Sequence, residues 1–117
     1  MASSETMSGA SYDTLIGGVG VMRLVNVNVS SDTELERGAL LAGGWDGTSV
    51  TVHLATATDT ANCDMYIAAS DEASVTVTNA YSKGVFNRAA IKVGEGLNVR
   101  DFEHNLRLNN ILLTEVK

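Results

Sequence analysis

Proline is absent from the 117 residues, and Cys63 is the only cysteine. A single cysteine excludes an intrachain disulfide and fits a reducing compartment, so we expect the chain to fold in a cytoplasm. No run approaches the ~18 apolar residues that a membrane-spanning helix needs. The first residues also lack the basic start and apolar stretch of a secretory signal. We therefore expect that the chain neither inserts into a membrane nor is secreted.

Basic residues are scarce as well. Eight Lys and Arg stand against fourteen Asp and Glu, which gives a formal net charge of −6 and a pI near 4.7. The basic residues are scattered along the chain, whereas binding to nucleic acid depends on clustered Lys and Arg that contact phosphates. The composition therefore argues against a nucleic-acid partner.

Residues that could carry catalysis do not occur in recognisable patterns. His53 and His104 fall in different predicted elements, and neither has a metal-ligand spacing to Cys63. No G-x-S-x-G sequence marks a nucleophile. The carboxylates of Asp71 and Glu72 adjoin in a predicted turn, whereas glycoside hydrolysis needs a pair facing each other across a cleft. We expect no catalytic residue, metal site or cofactor, and no enzymatic activity.

The length of the chain predicts one domain preceded by an N-terminal arm. Residues 1–11 are small, polar and rich in Ser, so they bury too little apolar surface to offset their ordering entropy. They are either a frayed end or an arm that orders on a partner. A short apolar patch and a Gly-rich joint follow. We therefore predict a flexible arm at 1–16 and a single β-rich domain at 17–117.

Alternation of apolar and polar residues predicts strands over most of this domain. Val25, Val27 and Val29 alternate with polar residues and should share one face of a strand. A second alternating run places Val50, Val52 and Leu54 on one face. Asp-Gly at positions 46–47 is a strong signal for the tight turn that precedes this second run.

The remaining elements complete the predicted fold. Further strands are expected at 65–69 and 74–78, a turn at Tyr81–Gly84, a helix that begins at Asn98, and a last strand at 111–116. The fold class is thus mostly β, a small sandwich-like or barrel-like domain with one short C-terminal helix and a mobile N-terminal arm.

Several motifs follow one another in the order seen in a known family. They are Leu40-Leu41-Ala42 before Trp45-Asp46-Gly47-Thr48, Ile67-Ala68-Ala69-Ser70-Asp71, Ser74-Val75-Thr76-Val77, Tyr81-Ser82-Lys83-Gly84-Val85-Phe86, and Ile111-Leu112-Leu113 after the predicted helix. Together they resemble the lambda-type head decoration proteins of tailed phages. The resemblance spans residues 35–117, and the Val21–Val29 strand has no counterpart in the family.

The resemblance implies a non-enzymatic virion protein. Such a protein is made in the host cytoplasm and binds the outer surface of the expanded icosahedral capsid, commonly as a homotrimer at three-fold positions. Its partner is the major capsid protein, and it uses no cofactor, small-molecule substrate, nucleic acid or membrane.

The apolar patch of the arm is the candidate for contact with the shell. Tyr12, Asp13, Thr14, Leu15 and Ile16 could pair with an exposed strand edge of the capsid and gain main-chain hydrogen bonds as they order. The alternative is an adhesive β module, such as a fibre head or a carbohydrate-binding domain. That function calls for clustered exposed aromatic side chains, whereas the six aromatics here are dispersed.

Overall fold

The computed structural model describes residues 15–16, 22–45 and 47–115, and its fold is mostly β. The strands are β1 (Arg23–Leu35), β2 (Leu40–Trp45), β3 (Val50–Leu54), β4 (Asp64–Ala68), β5 (Glu72–Asn87) and β6 (Ile111–Thr114). One α-helix, α1 (Glu103–Leu108), lies near the C-terminus. The predicted fold class is confirmed. No helix in the described part of the chain is long and apolar enough to cross a membrane.

Five of the strands close into a barrel. The order is β1-β3-β2-β4-β5, and the ring closes because β1 pairs with β5 as well as with β3. The β1–β3 pairing is parallel, with Asn28 opposite Thr51, and the other four pairings of the ring are antiparallel. Strand β6 lies outside the ring and runs parallel to the end of β5.

One apolar core fills the barrel. Its buried residues are Val27, Val29, Leu35, Ala39, Leu41, Val52, Tyr66, Ala68 and Ala80. Val27 and Val29 point inward and Val25 packs against the same cluster, which confirms the face predicted from their alternation. In the second predicted run Val52 is fully buried, but Leu54 is 42% exposed because β3 ends there, at the open mouth of the barrel.

A second core lies against the outside of the barrel. It consists of Leu15, Leu40, Ala42, Ala55, Met65, Ile67, Phe86, Ile91, Phe102, Leu106, Ile111 and Leu113. These residues come from β2, β4, the end of β5, α1, β6 and the segment that precedes β1. The helix and β6 therefore cover one side of the barrel, and none of the described elements covers the side formed by β1 and the first part of β5.

Strands β2 and β4 are buried on both faces because they lie between the two cores. In β2, Leu41 points into the barrel while Leu40 and Ala42 point into the outer core. In β4, Tyr66 and Ala68 face inward while Met65 and Ile67 face outward. This arrangement explains why the two strands read as unbroken apolar runs. Each fully buried leucine contributes about 1.5–3 kcal/mol of burial free energy.

The predicted turn at Tyr81–Gly84 is wrong. Strand β5 runs without interruption through these residues and is 16 residues long. Gly84 adopts a φ of 155°, and a Cβ on it would lie 2.9 Å from the Phe86 ring. Glycine at this position therefore permits a strand conformation in which the backbone lies too close to the Phe86 and Met22 side chains for a Cβ. In the same strand Thr78 faces the barrel interior, whereas Val77 is 56% exposed. The alternation of residues 74–78 alone does not show which of the two faces is buried.

The C-terminal helix begins and ends at the predicted signals. The Asn98 side chain accepts a hydrogen bond from the backbone N–H of Arg100 and caps a 3-10 turn, Val99–Phe102, that leads into α1. Asn110 follows α1 with a φ of 65°, a conformation that ends the helix and turns the chain into β6. The predicted short helix is confirmed, although its first turn is 3-10 and α1 begins at Glu103; the last strand, predicted at 111–116, ends at Thr114.

Replacing Gly43 with alanine should destabilise the barrel. Gly43 pairs with Val52, and a Cβ at this position would lie 2.8 Å from the Val52 Cα and would collide with the Thr51 carbonyl. We expect Gly43→Ala to lower the free energy of unfolding by about 1–3 kcal/mol, measured by denaturant titration. Gly44→Ala is the matched control, because its Cβ would meet only the Asp64 carboxylate, at 3.6 Å. Equal stabilities of the two variants would contradict this packing.

Candidate functional site

The structure describes two of the five arm residues that the sequence nominates for shell binding. Leu15 is 3% exposed in the outer core, and its carbonyl accepts a hydrogen bond of 2.7 Å from the Asn87 N–H. Ile16 forms an antiparallel bridge with Phe86. Tyr12, Asp13 and Thr14 lie outside the described residues. Leu15 and Ile16 are thus packed on the protein's own body, and contact of the arm with a shell stays a prediction.

His53 belongs to a small polar cluster on the surface. Its Nε2 lies 2.9 Å from Oδ2 of Asp59, and the Thr56 hydroxyl donates to the same oxygen at 3.0 Å. Burial works against ionisation, but hydrogen bonds from the Thr56 N–H, the His53 ring and the Thr56 hydroxyl hold the pKa of Asp59 below its ordinary value of 3.8. The hydroxyl binds the carboxylate rather than the imidazole. The cluster therefore lacks the order of a nucleophile–histidine–acid relay and fixes the loop before β4.

Cys63 is half-buried beside α1. The Asn105 amide donates to the Cys63 carbonyl at 3.0 Å, and the Cys63 thiol donates to the Asp59 carbonyl at 3.4 Å. Burial, reinforced by the Asp59 charge, raises the pKa of the thiol above its ordinary value of 9.0. A thiol that stays protonated is a poor nucleophile and a poor metal ligand. Cys63 packs against the outer core, as a small apolar side chain does.

An acidic cleft lies at the end of the barrel where β1 finishes and β5 begins. It is lined by Glu34, Leu35, Glu36, Asp71, Glu72, Ala73 and Lys92. Lys92 forms an ion pair with Glu36 at 3.1 Å, and Asp71 accepts a hydrogen bond from the Arg37 N–H at 2.7 Å. Within the described residues, no three His, Cys, Asp or Glu side chains stand close enough to hold a metal ion. We call this region the acidic end of the barrel.

The opposite end of the barrel exposes several large apolar side chains. Trp45, the last residue of β2, is 65% exposed, and it pairs with Val50 at the start of β3. Strand β3 runs parallel to β1, so Trp45 lies toward the end where β1 begins. There Met22 and Leu24 are 39% and 52% exposed. Exposed Trp, Met and Leu at one end of a small domain are typical of a protein-binding surface.

Between the two ends, the outer face of β1 and β5 is mostly polar. Asn26 pairs with Asn79 and Asn28 pairs with Val77, while the Asn28 amide donates to the Ser49 hydroxyl at 2.6 Å. This face carries neither the helix nor β6.

The exposed apolar end was not nominated from the sequence, although one signal for it was present. Leu24 stands next to Val25 and is out of phase with the inward-facing Val25, Val27 and Val29. A strand with one buried face must therefore turn Leu24 outward. The position of Trp45 toward the same end of the barrel depends on the non-local pairing of β1 with β3, which no local pattern specifies.

The sequence matches no known family model, and no curated protein is detectably similar to it.

A partly buried ion pair holds the C-terminal elements together. Arg88, at the end of β5, contacts Glu103 of α1 through two bonds, Nε–Oε1 at 2.8 Å and Nη2–Oε2 at 2.9 Å. The same guanidinium reaches Glu115 at 3.1 Å, just beyond β6. The hydrogen bonds and charge of Arg88 lower the pKa of the Glu103 carboxyl despite its partial burial. The pair thus links β5, α1 and the end of β6.

Acidification should weaken this link. Because the pKa of Glu103 is lower in the folded protein than in the unfolded chain, the link stabilises the fold above the ordinary pKa of 4.5. Its contribution is lost as the pH falls through the lowered value. We expect Glu103→Gln to have a lower melting temperature than the wild type at pH 7. At pH 3 the two melting temperatures should lie closer together. Glu95→Gln, at an exposed residue, is the control and should match the wild type at both pH values.

Proposed function

We propose that this chain is a capsid decoration protein of a tailed phage. It binds the outside of the expanded icosahedral shell as trimers at three-fold positions and braces the major capsid protein. It acts by shape and adhesion, without a catalytic group, a cofactor or a small-molecule substrate. The observation that carries the proposal is the exposure of Trp45 in the W-D-G-T turn, since a large indole left in solvent marks a contact surface.

The positions of the family-like motifs support this function. Leu40-Leu41-Ala42 forms the doubly buried part of β2, and the W-D-G-T stretch begins where that strand ends. Ile67-Ala68 lies in β4, and Ile111-Leu112-Leu113 forms β6. The apolar motif residues thus hold the two cores together while Trp45 stays outside both. This division suits a rigid body that presents a few contact residues.

Trimerisation makes weak contacts sufficient. Once one subunit of a trimer is bound, the second and third contacts are effectively intramolecular, so a marginal contact of about 4–6 kcal/mol per subunit gives firm attachment. The predicted arm, residues 1–16, would add main-chain hydrogen bonds to a strand edge of the shell. Because Leu15 belongs to the outer core, this role falls to the residues before it.

An adhesive module, such as a fibre head or a carbohydrate-binding domain, is the alternative. Flat sugar rings are bound by stacking on exposed aromatic side chains, and several of them commonly share one surface. Among the aromatics in the described part of the chain, Tyr66, Phe86 and Phe102 are buried and Tyr81 packs against Phe86. Trp45 alone is exposed among them, which favours a protein contact over a sugar-binding platform.

Co-sedimentation with isolated phage shells tests the proposal. We expect the wild-type protein to pellet with expanded shells and to stay in solution with immature ones. Trp45→Ala should weaken the affinity about tenfold or more, because a buried aromatic anchor contributes at least ~1.4 kcal/mol to an interface. Leu108→Ala removes another exposed apolar side chain, on α1, and should bind as the wild type does. Binding of the wild type to sugar arrays but not to expanded shells would contradict the proposal.

A further inference from the structure

Two cations at one end of the barrel have no ionic partner among the described residues, although the protein as a whole is acidic. Most described Lys and Arg side chains are engaged by carboxylates or carbonyls; they are Arg37, Arg88, Lys92, Arg100 and Arg107. Arg23 and Lys83 are both exposed, and neither forms an ion pair with any residue in the described part of the chain. They are therefore free to meet an external anion.

The two cations face each other across a strand pair. Arg23 is the first residue of β1, and the register places it directly opposite Lys83 of β5. The register shifts between Arg23 and Leu24, so the pair lies at an irregular point of the ladder, but like charges on paired residues still repel each other. The fold alone gains nothing from this placement. A negatively charged partner would relieve the repulsion of both residues at once.

Exposed apolar side chains flank this cation pair. Met22 and Leu24 are the chain neighbours of Arg23, and Trp45 lies toward the same end of the barrel. We call Met22, Arg23, Leu24, Trp45 and Lys83 the docking end. Aromatic residues, Met and Arg are the types enriched in protein interfaces. Charge and exposed apolar area therefore adjoin at Met22, Arg23 and Leu24, and Trp45 lies toward the same end of the barrel.

The N-terminal segment joins the body beside the docking end. Ile16 bridges to Phe86, which is three residues, or about 10 Å of strand, beyond Lys83. Residues 17–21 connect Ile16 to Met22, so the chain before Leu15 starts within reach of the same surface. The acidic end lies at the other end of the β1–β5 pair, where Leu35 is opposite Glu72.

We infer that the docking end is the face that meets the capsid shell, and that the shell surface it contacts is acidic with an apolar centre. This inference rests on the proposed function and specifies its geometry. The acidic end then points to solvent, where its carboxylates stay hydrated and do not repel an acidic shell. The cations steer the encounter and fix the orientation, and the apolar side chains supply most of the contact area.

Charge reversal at the docking end tests this assignment in the full-length protein. Binding to expanded shells is measured at 50 and 300 mM NaCl for the wild type and for Arg23→Glu/Lys83→Glu. The variant keeps a like-charge pair between the strands, so its melting temperature should stay close to that of the wild type. We expect its affinity at 50 mM NaCl to fall at least tenfold, and the salt dependence of the wild type to disappear or reverse.

A matched variant controls for net charge. Lys92→Glu/Arg107→Glu makes the same change in formal charge at residues outside the docking end, and it should bind within threefold of the wild type. Arg23→Gln/Lys83→Gln is the fallback if the reversal variant does not fold, and it should lose affinity by a smaller factor with a flattened salt dependence.

The outcomes separate this inference from the proposed function. Wild-type binding that both docking-end variants retain at both salt concentrations would overturn the inference and leave the proposed function standing. Loss of trimer mass in the variants, with unchanged binding per subunit, would assign the surface to contacts between copies and would also overturn it. Failure of the wild type to bind any expanded shell would instead overturn the proposed function, and the inference with it.

Discussion

The burial of β2 and β4 on both faces is the constraint on which the rest of this structure depends. Leu41 and Tyr66 pack inside the barrel. Leu40 and Ile67, on the opposite faces of the same strands, belong to the outer core that holds α1 and β6. A barrel of only five strands has room for only a few side chains, so its interior alone makes a small core. The outer core adds buried apolar side chains from α1 and β6, together with Leu15, to this small interior. The Arg88–Glu103 pair then fixes the helix to the end of β5.

This one-sided covering also determines where the protein can bind. The side of β2 and β4 is occupied by the chain's own C-terminal elements, whereas no element in the described part of the chain covers the side of β1 and β5. The long β1–β5 pair carries unlike ends, with Arg23 and Lys83 at one and Glu34, Glu36 and Glu72 at the other. The two ends of this small, acidic domain therefore differ in charge. Directionality of this kind suits a protein that attaches to a surface in one orientation.

The sequence predicted the features that depend on local patterns. The alternation of Val27 and Val29 and the Asn98 cap are each decided by neighbouring residues, and the structure confirms them. The turn predicted at Tyr81–Gly84 failed because Gly84 serves equally well in a turn and in a strand. Val77 was not recognised as exposed because the 74–78 run alternates without showing which face is buried. Only pairing with β1 decides that face.

The docking end lay beyond prediction for the same reason. Arg23 and Lys83 are sixty positions apart in sequence, and their juxtaposition follows from the register of β1 against β5. The sequence showed the apolar patch of the arm, but it did not show that Leu15 would pack into the protein's own core. Leu15 belongs to the outer core, whereas residues 12–14 precede it outside the described part of the chain. The alternation within one strand predicts which of its side chains share a face. Which strands lie side by side, and so which residues form a binding surface, depends on how the barrel closes.

Cryo-electron microscopy of expanded shells saturated with this protein tests the central claim most directly. The account predicts added density at the three-fold positions, made of three barrels, each with the Trp45 turn toward the shell and the acidic end toward solvent. Shells without added density, or barrels attached by their acidic ends, would contradict it.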